Sequence, residues 1–171
     1  MRHLLTLTLW LVLLIAPALA AGTKTSVALP APAAAPVDRI VVFKSAREMQ
    51  LLRDGWIVKS YRIALGSRPE GHKRWEYDGR TPEGLYTISG RNPRSHYYLA
   101  LLISYPDEKD RAEAARLGVT PGGDIEIHGM PNPPHRPVTG DWTDGCIAVS
   151  NAAMREIWTL VRDGTPIEIL P

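Results

Sequence analysis

Apolar positions in the first half of the chain fall in three short runs, DRIVVF at 38–43, EMQLL at 48–52 and WIVKSYRIA at 56–64. Lys-Ser separates the first two and Asp54-Gly55 the second pair, the latter a hairpin signal, so the segment predicts a β-meander. Residues 66–81 mix Gly, Pro, Arg and Glu with no sustained period and read as a loop. Further strands are expected at 85–89 and 97–104. Pro106-Asp107 opens a helix over 108–117, and Gly118 suits its left-handed C-terminal cap. Residues 124–128 (DIEIH) alternate as a half-buried strand does, with Ile125 and Ile127 on one face and Asp124, Glu126 and His128 on the other. His128 ends that strand. The stretch 129–141 is too rich in Pro and Gly for regular structure. Ser150 or Asn151 caps a second helix, in which Met154, Ile157, Trp158 and Val161 recur at helical spacing and Gly164 marks the end. A closing strand is expected at 165–170. The fold class is therefore mainly β with two helices packed on it, an α+β domain.

The N-terminus follows a different rule. Arg2 and His3 precede a largely apolar run over 4–15, then Pro17 and the small-residue triplet Ala18-Leu19-Ala20. That order is the one of a secretory signal peptide over 1–20, with cleavage after Ala20; an uncleaved anchor is the alternative. The run is shorter than the roughly twenty residues of a membrane span. Residues 21–36 are mostly Ala, Pro, Thr and Ser, a composition that buries too little apolar surface to offset its ordering entropy, and read as a linker. A single domain is expected over 37–171. Export to the periplasm or cell envelope follows from the leader.

Composition narrows the partners. The net charge of +2 comes from 20 basic and 18 acidic residues that are interspersed, which argues against nucleic acid. One cysteine, Cys146, in an exported chain cannot form an internal disulfide. It is a buried thiol, an intermolecular bridge or a nucleophile. A thiol of ordinary pKa, about 8.5, needs a neighbouring base to react at neutral pH. Of His72, His96, His128 and His135, His128 is the preferred base, because an element end positions a side chain better than a Pro-rich loop does. A zinc site from His128, His135, Asp141 or Cys146 lacks compact metal-ligand spacing, so no metal and no cofactor are expected.

The segment from Ile127-His128-Gly129 through Trp142-Thr143-Asp144-Gly145-Cys146-Ile147 resembles the signature of the L,D-transpeptidase catalytic domain (YkuD-type). Thr81-Pro82-Glu83-Gly84-Leu85-Tyr86-Thr87-Ile88 and Gly164-Thr165-Pro166-Ile167-Glu168-Ile169 resemble two further strands of that family. Asp144 stands where the family commonly has a second histidine, and Ala148 where arginine or asparagine is frequent. With Ser104-Tyr105-Pro106 and Gly122-Gly123-Asp124, these positions are similar to the YafK-type branch.

The resemblance implies a β-sandwich catalytic domain and a thioester on Cys146. It further implies His128 as base, the Gly129 carbonyl orienting the imidazole, and the N–H groups of Gly145 and Cys146 holding an oxyanion. The implied substrates are peptidoglycan stem peptides, with a wall-linked lipoprotein as a further partner. Transfer to an amine is the leading reaction; hydrolysis of cross-links or release of wall-bound protein on the same dyad is the alternative, which Asp144 keeps open. A wall-binding module without catalysis is a third reading. Arg80, Arg91, Arg94 and Arg136 are candidate carboxylate contacts by their bidentate geometry, with Trp142 and Asp144 near the cleft. Asp144 is expected to point away from the oxyanion, toward local backbone or a cationic His128. Gly145→Ala is expected to lower turnover with the fold largely intact.

Overall fold

The computed structural model describes residues 35–134 and 137–171. The expected leader at 1–20, the linker up to residue 34, and His135 and Arg136 lie outside the described residues.

A hairpin opens the domain: β1 (Arg39–Phe43) and β2 (Glu48–Arg53) are antiparallel, and β2 turns into β3 (Trp56–Arg62) through Asp54 and Gly55. Both turn residues have positive φ, 52° and 79°, as a tight hairpin requires. β4 (Gly84–Asn92), β5 (Ala100–Ile103), β6 (Glu126–His128) and β7 (Ile147–Ala148) follow, and β8 (Pro166–Leu170) closes the chain. Helix α1 (Glu108–Leu117) lies between β5 and β6, and α2 (Asn151–Leu160) between β7 and β8. The strand order is β3-β2-β1-β8-β4-β5-β6-β7.

The sheet curls until its two ends meet. Just beyond β3, Ala64 exchanges two backbone hydrogen bonds with Ala148, both 2.8 Å, while Thr143 N–H donates to the Leu65 carbonyl at 3.1 Å and Ser67 N–H to the Thr143 carbonyl at 2.9 Å. Inside the curl sits one core: Ile40, Val42, Met49 and Leu51 from β1 and β2, Ile127 and Ile147 from β6 and β7, Ile167 and Ile169 from β8, and Met154 and Ile157 from α2. This is the mainly β, two-helix, sandwich-type architecture expected.

Local chemistry explains the helix ends. Asp107 caps α1 through a reciprocal bond pair with Asp110, and Gly118 ends it at φ 70°. Ser150 caps α2 by accepting from Ala153 N–H. Three expectations need correction. Helix α2 stops at Leu160, because Val161 is already extended, and Gly164 belongs to the following turn, donating to the Ile88 carbonyl at 2.8 Å. Residues 97–99 are outside β5; Tyr98 has φ 72°, which no strand accommodates. The 124–128 strand begins only at Glu126, since Asp124 has φ 53°.

Candidate active site

Two adjacent strands present the candidate nucleophile and the candidate base. β6 and β7 pair in parallel, Ile127 beside Ile147 and His128 beside Ala148. Cys146 immediately precedes β7, which carries that register to Glu126. Ile127 and Ile147 fill the core, so alternation sends Glu126, His128 and Cys146 to the opposite face. There they line a cavity of about 310 Å³ together with Tyr97, Trp142, Thr143 and the two acids Asp124 and Asp144.

His128 is held from every side. It is 1% exposed, and its Nδ1 lies 2.7 Å from the Gly129 carbonyl oxygen. A carbonyl can only accept, so Nδ1 carries the proton and Nε2 is left as the basic nitrogen. Tyr97 stacks on the imidazole at 4.5 Å and Trp142 meets it edge-on at 5.6 Å. Burial lowers the His128 pKa below the ordinary imidazole value, while the Gly129 bond works the other way. Gly129 itself admits no side chain: an added Cβ would lie 2.5 Å from Asn151 Oδ1, the atom that accepts from Met130 N–H at 2.7 Å. The Gly129 carbonyl that holds the His128 ring is thus fixed by the start of α2.

The loop before Cys146 is set by Thr143 and Gly145. The buried Thr143 hydroxyl donates to the Cys146 carbonyl at 2.7 Å and accepts from Gly145 N–H at 3.2 Å. Gly145 has φ 135°, and a Cβ there would stand 2.6 Å from the Arg80 carbonyl oxygen. Asp141 anchors the loop from behind, accepting from Arg47 at 2.7 and 2.9 Å and from Leu65 N–H at 2.9 Å. One expectation changes here: the Gly145 N–H is engaged by Thr143, whereas the Cys146 N–H has no hydrogen-bond partner among the described residues. Cys146 N–H is therefore the better oxyanion donor of the two.

The thiol is half-buried. Burial pushes its pKa up to about 11, helped by the charges of Glu126 and Asp144; the Glu126 backbone N–H and Lys73 act in the opposite sense. Sγ donates to the Asp124 carbonyl at 3.4 Å, and no hydrogen bond joins it to His128 among the described residues. With a raised thiol and a lowered imidazole, the pair rests as two neutral groups. The two side chains face one cavity, and a standing thiolate is not favoured.

The candidate substrate contacts divide. Trp142 walls the cavity, and Asp144 sits exposed on its rim with no hydrogen bond among the described residues, so it meets neither the local backbone nor His128 as expected. Arg80 reaches the site only through its backbone carbonyl against Gly145; its guanidinium lies over Trp75 at 5.9 Å. Arg94 is exposed on the turn after β4 and does not line the cavity. Arg91 closes the end of α2, bonding the Trp158 and Val161 carbonyls and Asp163, with its guanidinium over the Trp158 ring. It serves the helix and not a ligand. Arg136 lies outside the described residues.

Sequence reasoning passed over Tyr97 and Glu126. Tyr97 was placed on a strand, where nothing linked it to His128. Glu126 carried a usable signal, since period two puts it on the face of His128.

Comparison with known proteins gives a family and a set of structural relatives. The model of the L,D-transpeptidase catalytic domain, YkuD, matches residues 37–169. YafK of Escherichia coli strain K12, a candidate L,D-transpeptidase, is 30% identical over 129 residues, 71% of this chain and 46% of YafK. The helical cell shape determining protein Pgp2 of Campylobacter jejuni has a similar structure, with TM-score 0.63 and 26% identity over 80% of this chain and 48% of Pgp2. An L,D-transpeptidase of Xylanimonas cellulosilytica shares the fold at 18% identity, with TM-score 0.54 over 82% of this chain and 64% of that one. The chain spans about half the length of YafK and Pgp2.

Proposed function

Because the chain belongs to the YkuD family of L,D-transpeptidase catalytic domains, we propose that it is an exported cysteine acyltransferase acting on peptidoglycan stem peptides. The observation that supports this most is an imidazole tied through Nδ1 to Gly129, which leaves Nε2 as a base in the same cavity as the only cysteine. The resemblance to a protein that determines helical cell shape agrees with a wall substrate, and the apolar run at 4–15 agrees with export to the envelope.

In this reading the thiol first leaves the Asp124 carbonyl, a weak S–H contact that costs little to break. His128 Nε2 takes its proton, directly or through one water, as sulfur attacks a stem-peptide carbonyl carbon. The oxyanion forms against the Cys146 N–H. Protonated His128 returns the proton to the departing amine, and the C–N bond breaks to leave an acyl thioester on Cys146. An incoming amine then attacks that carbonyl, and the C–S bond breaks with the proton returned to sulfur through His128. Water in place of the amine gives hydrolysis by the same steps.

The two outcomes are separated by incubating the purified protein with stem-peptide fragments and an amine acceptor, and resolving the products by mass. New amide-linked products are expected, absent from Cys146→Ser protein. Shortened peptides alone, with acceptor present, would assign the domain to hydrolysis.

A further inference from the structure

The cavity beside Cys146 is lined by three carboxylates. No lysine or arginine is among the described residues that line it. The nearby buried Lys73 is already committed, to Asp78 Oδ1 at 3.0 Å and the Trp75 carbonyl at 3.2 Å. Of the three acids in the cavity, Asp124 and Asp144 are exposed at the rim, whereas Glu126 is half-buried. The register of β6 and β7 sets Glu126 beside Cys146, and its carboxylate makes no hydrogen bond or ion pair among the described residues. Its oxygens reach solvent, so the carboxylate is open to a donor that enters the cavity. Tyr97 and Trp142, whose ring centroids lie 5.8 Å apart, line the same cavity and flank His128.

We infer that Glu126 binds the ammonium group of the acyl acceptor and holds it beside the Cys146 thioester. The inference rests on the acyl-transfer reading and adds the residue that would hold its amine acceptor, which arrives protonated. Such an amine has no lone pair until it loses a proton. Its ammonium passes one proton to the Glu126 carboxylate, and the freed nitrogen attacks the thioester carbon. His128 Nε2 takes a second proton from nitrogen and delivers it to sulfur as the C–S bond breaks. Glu126 then releases its proton to solvent, so the sum is ammonium plus thioester giving amide, thiol and one proton. Burial and the charge of Asp124 raise the Glu126 pKa, which brings the carboxyl closer to the amine in proton affinity.

The test compares two nucleophiles competing for the acyl group of the full chain near neutral pH: a primary alkylamine, which is cationic there, and hydroxylamine, which is neutral. Glu126→Gln is expected to lower the ratio of alkylamine to hydroxylamine capture by about tenfold, the size of a lost charge-assisted hydrogen bond. Glu126→Asp should restore most of the ratio. An unchanged ratio in Glu126→Gln overturns the inference, whether both rates fall together or neither falls, because a purely structural role affects both nucleophiles alike. The mass of acylated Cys146 in the parent protein is read in the same reactions. An adduct with no alkylamine product overturns the role of Glu126 alone, and no adduct overturns the acyl-transfer reading with it.

Discussion

Replacing His128 with alanine is expected to slow acylation of Cys146 by about three orders of magnitude, the usual contribution of a positioned general base. The reason is the resting state of the pair. A thiol whose pKa is pushed up to about 11 supplies almost no thiolate at neutral pH, so attack depends on a base that removes the proton during the step. The pH profile should carry the same signature. Only neutral His128 can accept, and burial holds its pKa below the ordinary imidazole value. The parent rate should therefore climb as pH rises through that lowered pKa and stay level across the neutral range. In His128→Ala the acid limb should vanish, and the small remaining rate should rise about tenfold per pH unit toward the thiol pKa. Single-turnover acylation measured from acid to alkaline pH checks both. A variant that keeps the parental rate and profile would remove His128 from the chemistry.

Gly145→Ala is the second large effect, and it reaches the fold as well as the rate. The residue has φ 135°, where a side chain is strained, and the added Cβ would stand 2.6 Å from the Arg80 carbonyl oxygen and 3.1 Å from Ile125 Cδ1. Backbone cannot yield as a flexible side chain does, so the loop carrying Cys146 must shift. Strain of this kind costs roughly 2–3 kcal/mol, to be read from urea unfolding. Misplacing a nucleophile by about 1 Å costs on the order of a hundredfold in turnover. Both losses are expected together, which adds a stability cost to the expectation of lower turnover with the fold largely intact. A variant as stable as the parent would mean that the Arg80 carbonyl moves aside freely.

Much of this was legible wherever the signal is local. Asp54-Gly55 encodes its hairpin in two residues, Asp107 and Gly118 bracket α1, and the alternation of 124–128 places His128 at a strand end. The Cys146 and His128 pairing needed the family likeness as well, because nothing between residues 129 and 145 says which strand β7 joins. What stayed hidden depends on contacts distant in sequence. The meeting of Ala64 with Ala148 and the clasp of Arg47 on Asp141 close the curled sheet, and neither residue type announces its partner. The arginines misled for the same reason. Bidentate geometry suits a substrate carboxylate, but Arg91 satisfies it on the free carbonyls of α2, a demand visible only once the helix is packed. The end of α2 was misjudged because Gly164 is a plausible cap, while the packing of Val161 in the core ends the helix earlier.

The central claim is that Cys146 is acylated by a peptide carbonyl with His128 taking its proton. Intact-mass spectrometry of the full chain after a short exposure to a stem-peptide donor tests it most directly. The account predicts a covalent mass increase equal to the acyl fragment, mapped to Cys146, absent from Cys146→Ser and strongly delayed in His128→Ala. An unmodified parent protein that nevertheless consumes the donor would contradict it.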